Sequence, residues 1–122
     1  MTIETLGFDL TVCKVASFAR INTSAEFFFI GKTDKEISLV CRTQDVPPDT
    51  LAREDGWRAF RVAGVLDFSL TGVLSGITGV LAGAGVGVFA VSTYDTDYIL
   101  VKRGDAGKAA DALSRAGYEI RA

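Results

Sequence analysis

Histidine is absent from the 122 residues of this sequence, and cysteine and proline occur only twice each. Without histidine there can be no Ser-His-Asp triad, no histidine proton shuttle and no histidine ligand to a metal. No C-x-x-C or EF-hand spacing takes their place. The sequence therefore predicts a non-enzymatic chain that holds no metal and no cofactor.

The two cysteines, Cys13 and Cys41, lie in apolar runs that read as strands. We expect both to be buried free thiols that act as small hydrophobic residues, because disulfides are rare in reducing compartments. The first nine residues include Glu4 and Asp9 and lack the basic and apolar regions of a secretory signal. A cytoplasmic location is therefore expected.

The sequence also lacks the basic character of a nucleic-acid-binding protein. The formal net charge is −2, and no run of lysine and arginine is present to grip a phosphate backbone. Nucleic acid is not an expected partner. The length suits one domain or two very small ones.

No charged side chain occurs between Asp67 and Asp95, so this stretch must be buried in a protein core or in lipid. It is long enough to span a bilayer, and it carries two G-x-x-x-G spacings, Gly72 to Gly76 and Gly79 to Gly83. Neither flank has the basic cluster that orients a membrane helix. We therefore expect a water-soluble core, with a membrane helix as the minor alternative. Because glycine is costly inside a helix, the four glycines predict close packing against the sheet or a second copy.

The periodicity within this stretch changes from helix to strand. Apolar residues share one helical face from Leu70 to Ala84, and a β-branched and aromatic run follows from Val86 to Thr93. Flanking strands are predicted at 57–63, 97–102 and 118–121, and a second helix begins after Asp105 and stops at Gly117. The order β-α-β-β-α-β predicts an α+β, ferredoxin-like fold.

The amino-terminal half repeats this pattern in reduced form. Strands are predicted at 8–15, 26–31 and 36–42, with too few residues between the first two for a full helix. Asp45 followed by Pro47 and Pro48 predicts a short helix that runs to Arg53. The chain thus reads as a tandem of a degenerate unit, residues 1–55, and a complete unit, residues 56–122.

Three segments carry a resemblance to a known family: Leu66–Gly72, Ala90–Val101, and Phe28–Leu39 followed by two prolines. They are similar to segments of tandem ACT-domain proteins related to the CASTOR-type cytosolic arginine sensors. The resemblance covers nearly the whole chain. It implies an ACT-like regulatory module that binds an amino acid, forms a homodimer and acts on a partner protein. The sequence shows no catalytic or DNA-binding domain, so the ligand and the output stay open.

A binding site can also be placed from the residues alone. In a β-α-β unit, the loop before the helix and the turn after the next strand lie at the same edge of the sheet. Free N–H groups at the helix start suit a carboxylate, and Asp67, Asp95 and Asp97 suit an ammonium or guanidinium group. An amino acid carries both charges. The predicted ligand-binding residues are Leu66, Asp67, Phe68, Ser69, Leu70, Thr71, Gly72, Ser92, Thr93, Tyr94, Asp95 and Asp97.

Simpler roles exist for the same residues. Asp67 or Ser69 can simply cap the helix, and Asp95 and Asp97 can be ordinary turn residues. Two other functions therefore stay open. One is a structural association module without a ligand, and the other is a small acid/base enzyme that uses Asp67 with Asp95.

Overall fold

The computed structural model describes residues 1–66 and 72–122, which form two compact units. Residues 1–7 and 58–122 make the two-helix unit, and residues 8–57 make the strand unit. Strands β1 (Thr2–Val15) and β4 (Ala52–Val62) contribute residues to both. The tandem division into residues 1–55 and 56–122 stays a prediction.

The two-helix unit follows the predicted order of elements. After β4 come α1 (Val73–Gly83), β5 (Phe89–Ser92), β6 (Asp97–Lys102), α2 (Ala106–Arg115) and β7 (Glu119–Arg121). Strand β6 lies between β4 and β5 and forms an antiparallel hairpin with β5. The α+β, ferredoxin-like fold class is confirmed. The helix start predicted at Leu70 lies outside the described residues.

The last strand has a neighbour that the sequence analysis did not identify. Strand β7 runs parallel to the first residues of β1, with Thr2 opposite Glu119 and Glu4 opposite Arg121. The prediction began β1 only at Phe8, although the strand starts at Thr2. The early part was missed because its buried residues, Ile3 and Leu6, are three positions apart and so break the alternation expected of a strand.

The core of the two-helix unit lies between the helices and one face of the sheet. Alternate residues of β4 and β6 point toward the helices, and each helix contributes an i, i+4 pair to the same core. A buried leucine-sized side chain contributes about 1.5–3 kcal/mol relative to an exposed one. The residues that form this core are Ile3, Phe60, Val62, Ile77, Leu81, Val86, Ile99, Val101, Ala109 and Leu113.

Both helices end in the same way. Gly85 and Gly117 have positive φ angles of 76° and 100°, which glycine adopts without strain. The N–H of Val86 donates to the carbonyl of Leu81 at 2.9 Å, and the N–H of Tyr118 donates to that of Leu113 at 3.1 Å. These are the bonds of a Schellman motif. The bond from Val86 makes this residue part of the end of α1. Strand β5 therefore starts at Phe89 rather than at the predicted Val86.

The glycines of α1 differ in their surroundings. A Cβ atom on Gly76 would lie 3.0 Å from the Tyr118 hydroxyl, whereas one on Gly79 or Gly83 would meet nothing within 4 Å. Close packing within the chain therefore accounts for Gly76 only among these three glycines. The expected packing against the sheet was wrong for Gly79 and Gly83. Packing against a second copy stays a prediction.

None of the helices in the described part of the chain is both long and apolar enough to cross a membrane.

The strand unit contains β2 (Phe28–Lys32) and β3 (Ile37–Arg42) beside its parts of β1 and β4, in the order β2-β3-β1-β4. Strand β3 is antiparallel to both β1 and β2. Residues 8–57 are all described, and they include no α-helix, only a single 3-10 turn at Thr43–Asp45. The helix between the first two strands was predicted to be missing or shrunk to one turn, and this is confirmed.

The short helix predicted from Asp45 to Arg53 was wrong. Strand β4 already begins at Ala52, and the N–H of Leu51 donates to the carbonyl of Lys14 in β1 at 2.8 Å. Local residue preferences favoured a helix because prolines are common in a first helical turn. The Leu51 N–H pairs with β1 instead, and this tertiary contact outweighs the local preference for a helix.

Cys13 and Cys41 are free and buried in the core of the strand unit, as expected. Thr11 is opposite Cys41 and Cys13 is opposite Leu39, so the two thiols lie diagonally on one face. Burial raises the pKa of both thiols, and that of Cys41 reaches about 12. The neutral form is therefore favoured in the folded state.

These raised pKa values predict a loss of stability in alkali. A thiol with a pKa near 8.5 in the unfolded chain and a higher one in the fold stabilises the fold below pH 8.5, and this contribution is lost as the pH rises toward 12. We expect the free energy of unfolding, measured in urea, to fall between about pH 8.5 and about pH 10.5. A Cys13→Ala/Cys41→Ala variant should show a shallower fall. An equal slope in both proteins would contradict the assignment.

The open space around Gly79 predicts a gain of stability on substitution. Gly79→Ala should raise the free energy of unfolding by about 0.5–1 kcal/mol, because alanine loses less backbone entropy in a helix. Gly85→Ala is the matched opposite, since the φ of 76° strains alanine and should lower the stability. Thermal unfolding measures both. A loss of stability with Gly79→Ala would indicate that a second chain covers this face.

Candidate functional site

The turn between β5 and β6 is held by a set of hydrogen bonds. The N–H and hydroxyl of Thr93 both donate to the Thr96 carbonyl, at 2.9 and 3.1 Å. The Thr96 hydroxyl is buried and donates to the Val62 carbonyl at the end of β4, at 2.7 Å. The N–H of Leu66 donates to the Asp95 carbonyl at 2.6 Å. The backbone of the turn is thereby fixed against the segment that follows β4.

The first turn of α1 faces this region. Gly72 precedes the helix with a φ of 79°. The first N–H groups of a helix have no partner within it and carry a partial positive charge. Those of Val73, Leu74 and Ser75 are in this position. They can donate to an anionic group without any basic side chain.

A cavity of about 310 Å³ lies between the start of α1 and the β5–β6 turn. Its volume is at the lower end of the range for small-molecule sites, about 300–1,000 Å³. Apolar, hydroxyl and carboxylate groups share its wall. The described residues that line it are Leu66, Gly72, Val73, Leu74, Ser75, Ser92, Thr93, Tyr94, Asp95, Thr96 and Asp97.

Seven of the twelve residues predicted to bind a ligand line this cavity: Leu66, Gly72, Ser92, Thr93, Tyr94, Asp95 and Asp97. The other five, Asp67, Phe68, Ser69, Leu70 and Thr71, lie outside the described residues. The structure therefore brings the described predicted residues together at one edge of the sheet. Ligand binding by any of them stays a prediction, as does the acid/base pairing of Asp67 with Asp95.

Four lining residues were absent from the predicted set: Val73, Leu74, Ser75 and Thr96. The first three follow Gly72 directly, and a helix start placed at Val73 would have included them. No sequence signal marks Thr96. Its burial depends on its bond to Val62, which is 34 positions away in the chain.

The cavity can complement both charges of a zwitterion. The hydroxyl of Ser92 donates to Oδ1 of Asp97 at 2.5 Å, which orients that carboxylate. Asp95 is exposed in the adjoining turn. Carboxylates attract an ammonium or guanidinium group, and the helix start attracts a carboxylate. Among the described residues, no cluster of histidine, cysteine, aspartate and glutamate is suited to a metal ion.

Thr96 is predicted to position the turn. Thr96→Val keeps the shape of the side chain but removes the donor to the buried Val62 carbonyl, so the free energy of unfolding should fall by about 1–2 kcal/mol. Thr78→Val is the control, because the hydroxyl of Thr78 bonds a carbonyl at the exposed surface of α1 and should contribute less than about 0.5 kcal/mol. Urea unfolding gives both values. Equal losses would show that the bond to Val62 has no special role.

Comparison with known sequences identifies relatives. The ACT domain profile matches residues 52–115, which is more than half of the chain. The cytosolic arginine sensor for mTORC1 subunit 1 of Mus musculus is 30% identical over 121 residues. That alignment covers 93% of this chain and 37% of the mouse protein, so this chain spans little more than a third of its relative's length.

Solved structures agree with this relationship. A crystal structure of a protein from Agobacterium tumefaciens has a TM-score of 0.86 and 31% identity, and covers 98% of this chain and 90% of that one. The regulatory subunit of aspartate kinase from Thermus thermophilus shares the fold at a TM-score of 0.66 and 9% identity, with 96% of this chain and 98% of that one covered. ACT domains are regulatory modules that bind amino acids. The chain belongs to the ACT domain family, as the resemblance in its sequence implied.

Proposed function

We propose that this protein binds an amino acid in the cavity between the start of α1 and the β5–β6 turn, and thereby regulates a partner protein. The observation that supports this most directly is that the first N–H groups of α1 and the residues Asp95 and Asp97 border one cavity. A carboxylate and an ammonium group on one small molecule match that pattern of charges. The regulatory role follows the family, whose domains act on other proteins or domains.

The charge of the cavity favours a cationic amino acid. Two carboxylates and no basic side chain occur among the described residues that line it. A ligand with one carboxylate and two cationic groups would balance the two aspartates better than a neutral amino acid. The mouse relative is named as a sensor of arginine, which is such a ligand. We therefore place arginine and lysine first among the candidates.

The proposal includes no chemical step. Most ACT domains are regulatory rather than catalytic. The association module without a ligand is favoured instead by one observation, the exposed and uncrowded positions of Gly79 and Gly83 on α1. ACT domains often dimerise, and we expect a homodimer by analogy. The mouse relative is cytosolic by name, and we expect the same compartment here.

A thermal-shift panel of the twenty amino acids tests the proposal. A ligand at 100 times its dissociation constant adds about 2.7 kcal/mol, which raises the Tm by about 10 °C in a chain of this size. Asp95→Asn/Asp97→Asn should reduce the affinity for the responding amino acid by about tenfold or more, because it removes both charges and keeps the shape.

Asp111→Asn is the matched control for charge, since Asp111 is exposed on α2 and does not line the cavity. It should leave the affinity unchanged. Undiminished affinity in the double variant would place the amino acid elsewhere, and the absence of any shift across the panel would favour the association module.

A further inference from the structure

The first turn of α1 is held less firmly by the core than the rest of the helix. Ile77 and Leu81 are fully buried, whereas Val73 and Leu74 are half-buried and Ser75 is exposed. Helix ends fray, because their first N–H groups have no partner within the helix. A ligand that binds these groups gains affinity when the turn is already ordered. Any other contact that holds the first turn therefore bears on the cavity.

Tyr118 makes such a contact. A Cβ atom on Gly76 would lie 3.0 Å from the Tyr118 hydroxyl, which is closer than an ordinary van der Waals contact. Because the Cα–Cβ bonds of a helix tilt toward its N-terminus, this hydroxyl lies beside the first turn. The N–H of Gly76 donates to the Gly72 carbonyl at 2.8 Å, and Gly72 lines the cavity. The tyrosine therefore packs against the turn that borders the cavity, at a position where glycine leaves room for it.

Tyr118 is itself fixed on both sides along the chain. Its N–H donates to the Leu113 carbonyl at the end of α2, at 3.1 Å. The N–H of Glu119, the first residue of β7, donates to the Met1 carbonyl at 3.0 Å. The half-buried ring packs against the core of the two-helix unit. A tyrosine side chain also has only two χ angles. The hydroxyl therefore has little freedom to move away from α1.

We propose that Tyr118 is a positioning residue for the amino-acid cavity, although it does not line the cavity itself. Its ring holds the first turn of α1 in the place where the N–H groups of Val73, Leu74 and Ser75 can bind a carboxylate. A side chain at Gly76 would push the turn and the ring apart, and these N–H groups would move with the turn. This inference rests on the proposed function, because it concerns the affinity of the same cavity.

Gly76→Ala tests the contact, with Gly79→Ala as the matched control. Both variants remove a glycine from α1, but a Cβ atom on Gly79 would meet nothing within 4 Å. The probe is arginine, or the amino acid with the largest thermal shift if arginine gives none. Its affinity, measured by isothermal titration calorimetry, should fall by about tenfold with Gly76→Ala and stay unchanged with Gly79→Ala. Gly76→Ala/Tyr118→Phe should restore the affinity, because phenylalanine keeps the ring and lacks the oxygen atom that the new Cβ would meet.

Hydrogen exchange tests the same contact without any amino acid. Tyr118→Ala should make the Gly76 amide exchange about tenfold faster or more, because its bond to the Gly72 carbonyl opens more often when the ring is absent. The amide of Leu81 is the control for an intact fold, since Leu81 is fully buried further along the same helix. Its exchange should stay slow in the variant.

Three outcomes would overturn the inference. These are an equal affinity in Gly76→Ala and the natural sequence, a double variant as weak as Gly76→Ala alone, and an unchanged exchange rate at Gly76 in Tyr118→Ala. Any of them, with binding by the natural sequence retained, refutes the role of Tyr118 and leaves the amino-acid site intact. If none of the twenty amino acids shifts the Tm of the natural sequence, the proposed function fails instead. The exchange rate at Gly76 then decides whether Tyr118 holds the turn.

Discussion

Burial of Ile77 and Leu81 of α1 against the sheet is the interaction on which the rest of the two-helix unit depends. These side chains are fully buried and share one core with Leu113 of α2 and with alternate residues of β4 and β6. The rest of α1 is uncharged and offers no ion pair to hold the helix in place. Its position, and with it the position of its first N–H groups, follows from this apolar contact.

The second constraint acts on the β5–β6 turn. The Thr96 hydroxyl joins the turn to the end of β4, and the Leu66 N–H joins it to the segment that follows β4. Together with the core, these bonds place the aspartates of the turn opposite the start of α1. A binding site that is already ordered loses less entropy when a small ligand binds. Such a cavity can therefore bind a molecule that makes few contacts.

The strand unit shows how far local residue preferences extend. Its three predicted strands exist, because alternation and β-branched residues report directly on a half-buried strand. The segment from Asp45 to Arg53 was predicted as a helix, and the end of that segment is instead the start of β4. Proline and charged residues are compatible with a helix start and with a turn before an exposed strand. Only the partner strand decides between the two.

The sequence by itself determined the class of fold and most of the described lining of the cavity. Periodicity, the glycines at the helix ends and the uncharged stretch were sufficient to predict the order of elements in the two-helix unit. They also brought Asp95 and Asp97 to the edge of the sheet where the cavity lies. Only the tertiary structure decided that β7 pairs with β1, that Thr96 is buried, and that Gly79 faces open space. Each of these depends on residues that are distant in the chain. Local patterns indicate that a residue is buried, but they do not indicate which distant residue covers it.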